Sequence, residues 1–114
     1  MKAVDEYRKL LTDAAKPGYF ASSKLELAYF GLGDAVRGQR HYAEAAQAYE
    51  QAASTSGVGP ELKIHSLLEA GKCRDLNAER ELAVRDYKAA IDAGPDTSRA
   101  DQARKLLHNP YKGT

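Results

Sequence analysis

The sequence is short of cysteine, net charge and long apolar runs. Its 114 residues include one cysteine, Cys73, so no disulfide can form within the chain and the redox compartment stays open. The net charge of +1 gives no reason to expect nucleic-acid binding. No apolar run approaches the roughly 20 residues that a membrane-spanning helix needs, which predicts that the chain does not insert into a membrane.

The N-terminus also lacks the apolar core of a secretory signal peptide. Charged residues such as Lys2, Asp5 and Glu6 lie where that core would be. Secretion is therefore not expected from this sequence, although a longer parent protein could have lost a signal. The localisation stays open between the cytoplasm and, for a parent with a signal, the periplasm.

The charges are distributed unevenly along the chain. Residues 26–97 carry twelve acidic and eight basic residues, whereas residues 98–114 carry four basic and one acidic residue. The simpler interpretation is an acidic body with basic ends, whose charges are solvated. The alternative is a surface that selects basic or mixed-charge partners.

Residues that favour helices dominate the composition. Ala, Leu, Glu, Lys and Arg are abundant and proline occurs four times. Alternation typical of a β-strand is absent, so the predicted fold class is all-α with five to six helices. Apolar residues recur at three- and four-residue steps, which predicts helices over residues 2–16, 22–38, 42–54, 60–75, 79–93 and 96–108.

One short phrase occurs three times. It reads AVDEYRKLL from residue 3, AAQAYEQAA from residue 45 and AVRDYKAAI from residue 83. The shared tyrosines, Tyr7, Tyr49 and Tyr87, lie 42 and then 38 residues apart. Self-similarity on this scale is typical of an array in which each repeat is one small helical unit.

The two later copies belong to a longer pattern. One reads Tyr29-x2-Leu32-Gly33-x2-Val36 and then Ala45-x3-Tyr49-x2-Ala52; the other reads Leu67-x2-Ala70-Gly71-x2-Arg74, then Ala83-x3-Tyr87-x2-Ala90 and Pro95. This pattern resembles the tetratricopeptide repeat, whose helices carry Trp-x2-Leu-Gly-x2-Tyr and Ala-x3-Phe-x2-Ala. The resemblance covers roughly residues 3–108 and is closest to short modules of the bacterial type.

The resemblance implies a right-handed α-solenoid of antiparallel helix pairs within one domain, residues 1–114. In it Gly33 and Gly71 let two helices approach closely, with the small Ala45 and Ala83 opposite, and Tyr49 and Tyr87 are buried between helices. The implied parts are a half-repeat helix (2–16), two full repeats (22–56 and 60–95), a C-terminal capping helix (96–108) and a tail (109–114). Within that tail, the stretch from Tyr111 to Thr114 is expected to be loose.

The sequence departs from the family pattern in three ways. Its period is longer than the usual 34 residues, and Arg74 stands where an aromatic residue is usual. Arg40 and Ala78 replace the usual turn glycine, so Gly38 and Asn77 are expected to take the left-handed conformation instead.

Function is expected to reside in a surface, because no catalytic motif is present. In the family, the first helix of each repeat lines a concave groove that holds a peptide or a partner helix. Leu27, Phe30 and Leu68 would then form an apolar cluster on a wetted face, which is typical of a binding site, although simple exposure or self-packing is the alternative. The groove positions carried over are Leu27, Phe30, Asp34, Arg37, His65, Leu68, Lys72 and Asp75.

Catalysis, cofactors and metals are not predicted. His41, His65 and His108 lie on different elements, and His65-x3-Glu69 offers fewer ligands than a zinc site needs. Cys73 has no base partner in a motif and is interpreted as a buried thiol, with a reactive thiol as the alternative. No glycine-rich phosphate loop follows a strand.

The predicted function is a protein–protein interaction scaffold without enzymatic activity. The alternatives are an accessory domain of a larger enzyme or envelope-associated assembly, and a self-associating structural array. Partners are then proteins or peptides. The N-terminal helix has a broad apolar arc, which predicts that Tyr19 and Phe20 cover it, that the chain forms a homodimer there, or that an upstream helix is missing.

Overall fold

The computed structural model of the protein describes Asp5, Arg8, Lys9 and residues 22–113. In these residues all regular structure is helical and no strand occurs, which confirms the predicted all-α class. The helices are α1 (Ser22–Gly38), α2 (Tyr42–Ser54), α3 (Pro60–Leu76), α4 (Arg80–Ala93) and α5 (Ser98–His108).

The predicted N-terminal helix falls largely outside the described residues. Asp5, Arg8 and Lys9 are helical, and Arg8 donates a hydrogen bond to Glu44 in the first turn of α2. The apolar arc of that helix, the loop with Tyr19 and Phe20 and any dimer contact made there lie outside the described residues.

Local sequence signals explain where the helices begin and end. Pro60 opens α3, where its missing amide hydrogen loses no helical hydrogen bond. Thr97 caps α5, because its Oγ1 accepts a hydrogen bond from the Ala100 amide at 3.1 Å. α4 ends directly before Gly94-Pro95, a pair that cannot continue a helix.

The turns after α1 and after α3 have the same geometry. The His41 amide donates to the Val36 carbonyl at 3.0 Å, and the Glu79 amide donates to the Arg74 carbonyl at 2.8 Å. Each bond reaches five residues back and closes the end of the helix. Such a closure requires left-handed backbone at the residue just before the donor.

Arg40 (φ 63°) and Ala78 (φ 57°) provide this left-handed backbone. The expectation that Gly38 and Asn77 would provide it is therefore wrong. Asn77 has φ −96°, and Gly38 is the last residue of α1. The residue directly before the donor of the closing hydrogen bond must be left-handed, whichever residue stands there. The intrinsic preference of a nearby glycine or asparagine for this conformation does not change that position.

Replacing Ala78 by glycine is expected to raise the free energy of unfolding by about 1 kcal/mol. Left-handed backbone costs a residue with a β-carbon roughly 1–2 kcal/mol, and glycine avoids this cost. The greater entropy of glycine in the unfolded chain offsets part of the gain. Ala78 is exposed, so no packing is lost. Urea denaturation measures the change. The matched substitution Ala89→Gly inside α4 should instead destabilise by roughly 0.5–1 kcal/mol, and a loss of stability at both positions would contradict the interpretation.

The buried apolar residues form two clusters that share α2 and α3. Each helix packs mainly on the helices next to it in sequence, so α3 is covered by α2 and by α4. The first cluster contains Leu32, Val36, Ala45, Ala46, Ala48, Tyr49, Ala70 and Cys73. The second contains Ala53, Ile64, Leu67, Leu68, Ala83, Tyr87, Ala90 and Ala103.

A glycine facing a tyrosine ring sets the approach of the two helices in each predicted repeat. A β-carbon on Gly33 would lie 2.7 Å from Cε1 of Tyr49, and one on Gly71 would lie 2.6 Å from Cδ1 of Tyr87. Both distances are shorter than real contacts allow, and both tyrosines are 0% exposed. The predicted close approach at the glycines is therefore present, with the tyrosine ring as the nearest group.

Candidate functional site

The α1–α3 face is the surface on which most of the predicted groove positions meet. The rings of Phe30 and His65 lie 4.8 Å apart between centroids, and Arg37 Nη1 lies 2.8 Å from Glu69 Oε1. Lys72 Nζ lies 3.2 Å from the other oxygen of Glu69. The residues that define this face are Leu27, Phe30, Asp34, Arg37, His65, Glu69 and Lys72.

Glu69 is the member of this face that the groove prediction omitted. Its carboxylate joins the cations of Arg37 and Lys72, and these contacts hold its pKa below the usual range although burial alone would raise it. The helical spacing does carry a signal, because Glu69 lies four residues after His65 and three before Lys72 on the same side of α3.

Leu68 does not lie on an exposed apolar face, and that expectation is wrong. Its side chain is 2% exposed and belongs to the second cluster. The physical reason is that α3 has neighbours on two sides, so its buried arc is wider than that of a helix with one neighbour. Leu27, which is 59% exposed, and the partly buried Phe30 remain as the apolar part of the face.

Asp75 is buried in the fold, with its side chain 1% exposed. Its Oδ2 accepts a hydrogen bond from the Tyr87 hydroxyl at 2.7 Å and from the Tyr111 amide at 2.9 Å. Arg80 forms a salt bridge with the same oxygen at 3.0 Å. Asp75 therefore connects α3, α4 and the C-terminal segment, and the expectation of a loose tail is wrong at Tyr111.

The two tyrosine hydroxyls reach carboxylates at different repeat positions. Tyr49 donates to Asp34, and Tyr87 donates to Asp75. The 38-residue offset between the copies places Lys72 at the position of Asp34, and Asp75 at the position of Arg37. Each repeat thus supplies one acceptor for a buried hydroxyl, and burial together with the carboxylate raises the pKa of both tyrosines above the usual range.

A buried ionic network lies where α2, α3 and α4 meet, away from the α1–α3 face. Arg74 is 7% exposed, and its guanidinium binds both oxygens of Glu50 at 2.7 and 3.1 Å. It also binds Glu79 at 3.0 Å, and Arg85 binds Glu50 at 2.9 Å. The buried charge of Arg74 is therefore satisfied by two carboxylates.

Asp86 completes this network as a second buried carboxyl group beside Glu50. It is 3% exposed, and its Oδ2 has no hydrogen-bond donor. Burial, hydrogen bonding with Glu50 and the negative charge of Glu50 together raise the pKa of Asp86 to about 8. Burial would also raise the pKa of Glu50, but hydrogen bonding with Asp86 and Arg74 lowers it, so the pKa values of the two carboxyl groups move in opposite directions.

Stability is expected to fall with rising pH because of Asp86. Since its pKa is raised in the folded state, its contribution is fully present below about pH 4, the ordinary value, and is lost as the pH rises through about 8. Asp86→Asn keeps a donor towards Glu50 and does not titrate, so it should become more stable than the wild type near pH 9 by on the order of 1–3 kcal/mol. Urea midpoints at pH 5, 7 and 9 measure this difference.

The control for that experiment is Asp92→Asn, an exposed residue on the same helix. It should keep the pH dependence of the wild type. The difference between wild type and Asp86→Asn isolates Asp86 from His65, whose pKa burial lowers. A constant difference across pH 5 to 9 would show that Asp86 does not titrate in this range.

The side chains considered for catalysis are placed as follows. Cys73 is buried, and burial raises the pKa of its thiol to about 11, so it is not a thiolate at neutral pH. His65 contacts Phe30, whereas His41 and His108 are exposed elsewhere. Within residues 22–113 and the three described N-terminal residues, no group of three His, Cys, Asp or Glu side chains could hold a metal ion.

Comparison of the chain with protein-family models, with curated proteins and with solved structures finds no match. The resemblance to the tetratricopeptide repeat therefore stays a prediction that rests on the internal repeat. Among the helices described here, none combines the length and the apolar character that crossing a bilayer requires.

Proposed function

We propose that the protein is a tetratricopeptide-like module, a right-handed solenoid of antiparallel helix pairs, that binds a peptide or a partner helix on the α1–α3 face and has no catalysis of its own. The observation that carries this proposal is the exposure of Leu27. Among the described residues, Leu27 is the large hydrophobic residue whose side chain remains exposed, at 59%. An apolar side chain of this size gains free energy when a partner covers it.

The surroundings of Leu27 support the same proposal. Phe30, one helical turn further along α1, is partly buried, and its ring contacts the His65 ring at an interplanar angle of 53°. Beyond this apolar end, Arg37, Glu69 and Lys72 form a row of alternating charge. An apolar anchor next to polar groups is the usual anatomy of a binding interface, and the alternating row favours a partner of mixed charge.

The alternative functions use the same molecule differently. An accessory domain of a larger enzyme or envelope-associated assembly would present the α1–α3 face to another part of that assembly. A self-associating array would instead use the N-terminal helix, most of which lies outside the described residues. The exposure of Leu27 favours a function that uses the α1–α3 face, as the binding module and the accessory domain both do, over the self-associating array.

Binding peptides are first selected from a displayed random library with the wild-type chain. The Leu27→Asp variant is expected to bind these peptides at least tenfold more weakly than the wild type, a loss of about 1.4 kcal/mol in binding free energy. Leu27 is exposed, so the substitution should leave the melting temperature nearly unchanged. Fluorescence anisotropy with labelled peptides measures the dissociation constant.

The control variant is Gln51→Asp, which adds the same charge at an exposed position of α2. It should bind the selected peptides as the wild type does. Peptides that bind Leu27→Asp as tightly as the wild type would place the binding surface elsewhere.

A further inference from the structure

The C-terminal segment, residues 109–113, folds back onto the last turns of α3. α5 ends at His108, and Asn109 has extended backbone with φ −133° and ψ 110°. Two residues later the Tyr111 amide donates to Asp75 Oδ2 at 2.9 Å. The segment therefore leaves α5 in an extended conformation and contacts α3 again at Asp75.

Three side chains of α3 contact this segment in succession. Lys72 Nζ lies 5.3 Å from the centroid of the Tyr111 ring, within the range of a cation–π contact. A β-carbon on Gly113 would lie 3.3 Å from Leu76 Cδ2, so the backbone passes close to that leucine. A bound peptide makes contacts of the same three kinds: an aromatic ring on a cation, a backbone amide on a carboxylate, and backbone against an apolar side chain.

The fold holds the acceptor at Asp75 in place independently of the segment. Arg80 binds the Asp75 carboxylate and also donates to the carbonyls of Leu106 and Leu107 at 2.8 and 2.9 Å. The Tyr87 hydroxyl fixes the same carboxylate from α4. The Tyr111 amide is thus the one partner of Asp75, among those described, that could leave without disturbing a helix.

Space for a ligand continues beside the segment. A cleft of about 380 Å³ runs from Tyr111 and Gly113 to the end of α1. Asp34 and Arg37, two members of the α1–α3 face, line its far side. The segment therefore fills one end of a longer groove and leaves the rest open.

We propose that residues 109–113 are an internal ligand of the α1–α3 face, and that an external partner replaces them as an extended peptide with an aromatic residue over Lys72 and its amide on Asp75. This inference rests on the proposed function and names the partner's chemistry. Because the segment is tethered, its effective concentration is on the order of millimolar. A partner must outcompete it, which excludes weaker peptides.

The docking of the segment is tested first, on the full chain. The Tyr111 amide is expected to exchange its hydrogen at least about tenfold more slowly than in the free peptide acetyl-His-Asn-Pro-Tyr-Lys-Gly-Thr, as measured by NMR. Tyr111→Ala should remove this protection at residue 111, whereas Lys112→Ala, at an exposed position, should keep it for Tyr111. Exchange of the wild-type amide at the rate of the free peptide would overturn the proposal.

Competition is tested with the same acetylated peptide as the probe. Added to the labelled Tyr111→Ala chain, it should shift the amides of Lys72, Asp75 and Leu76, with an affinity at least about threefold higher than for the wild-type chain. A peptide with alanine in place of tyrosine should cause no shift. Equal titration of both chains, or no shift in the Tyr111→Ala chain, would overturn the proposal. Leu27→Asp tests the proposed function independently of this competition, because Leu27 lies at the Phe30 end of the face, away from Tyr111.

Discussion

Tyr87→Ala is expected to lower the free energy of unfolding by roughly 3–5 kcal/mol, the range for truncating a buried aromatic side chain. The ring is 0% exposed and lies directly on Gly71, so its removal leaves a cavity that the helix backbones cannot fill without moving. The hydroxyl bond to Asp75 is lost as well. Chemical denaturation of both chains measures the difference.

Tyr87→Phe separates the ring from the hydroxyl. It keeps the packing on Gly71 and removes a hydrogen bond to a carboxylate, so it should cost only about 1.5–3 kcal/mol. Gly71→Ala should also destabilise, since its β-carbon would overlap the ring. A melting temperature for Tyr87→Ala within a degree or two of the wild type would show that the ring does not hold these helices together. Tyr49 and Gly33 should behave in the same way in the first repeat.

Arg74→Ala is expected to cost a similar amount, about 3–5 kcal/mol, because it breaks a buried ion pair and leaves the carboxylates of Glu50 and Glu79 without their guanidinium. Glu50 would keep its position beside Asp86 without the guanidinium that binds both of its oxygens. Among the described residues, the two carboxyl groups would then keep only the exposed Arg85 as a cationic partner. Thermal and urea unfolding at pH 7 measure the loss.

The double variant Arg74→Leu with Glu50→Leu is the matched control. It removes both charges together, so it should recover most of the stability that Arg74→Ala loses, as replacements of buried ion pairs by apolar residues often do. A double-mutant cycle with Arg74→Leu and Glu50→Leu gives the coupling between the two residues. A coupling near zero would mean that the pair is no more than a solvated contact.

The helices could be predicted from the sequence because their signals are local. Apolar spacing of three and four residues, together with Pro60 and Gly94-Pro95, gives boundaries that agree with α1 to α5 within a residue or two at each end. The repeat adds a non-local signal: the equal distance from Gly33 to Ala45 and from Gly71 to Ala83 predicted a close helix approach at both glycines, although the group nearest each glycine is a tyrosine ring and not the predicted alanine.

The features that sequence reasoning missed depend on partners far away along the chain. Arg74 meets Glu50, 24 residues earlier, and Asp75 meets Tyr111, 36 residues later. Nothing in the residues around Asp75 indicates that its carboxylate turns inward. Leu68 was misplaced for a related reason, because helical spacing does not reveal that α3 is covered on two sides.

The candidate site was predicted in part. Phe30 meets His65, and Arg37 and Lys72 meet on Glu69, so four of the predicted positions share a surface through contacts that the structure contains. Leu68 and the side chain of Asp75 lie in the interior. What the repeat pattern could not supply is the role of the C-terminal segment, because Tyr111 lies beyond the last repeat.

The most direct measurement is to map a library-selected peptide on the isotope-labelled chain by NMR chemical-shift perturbation. The proposed function predicts the largest shifts on the α1–α3 face, at Leu27, Phe30, His65 and Lys72. Shifts confined to outward residues of α2 and α4, such as Gln51 and Lys88, with those four unchanged, would contradict it.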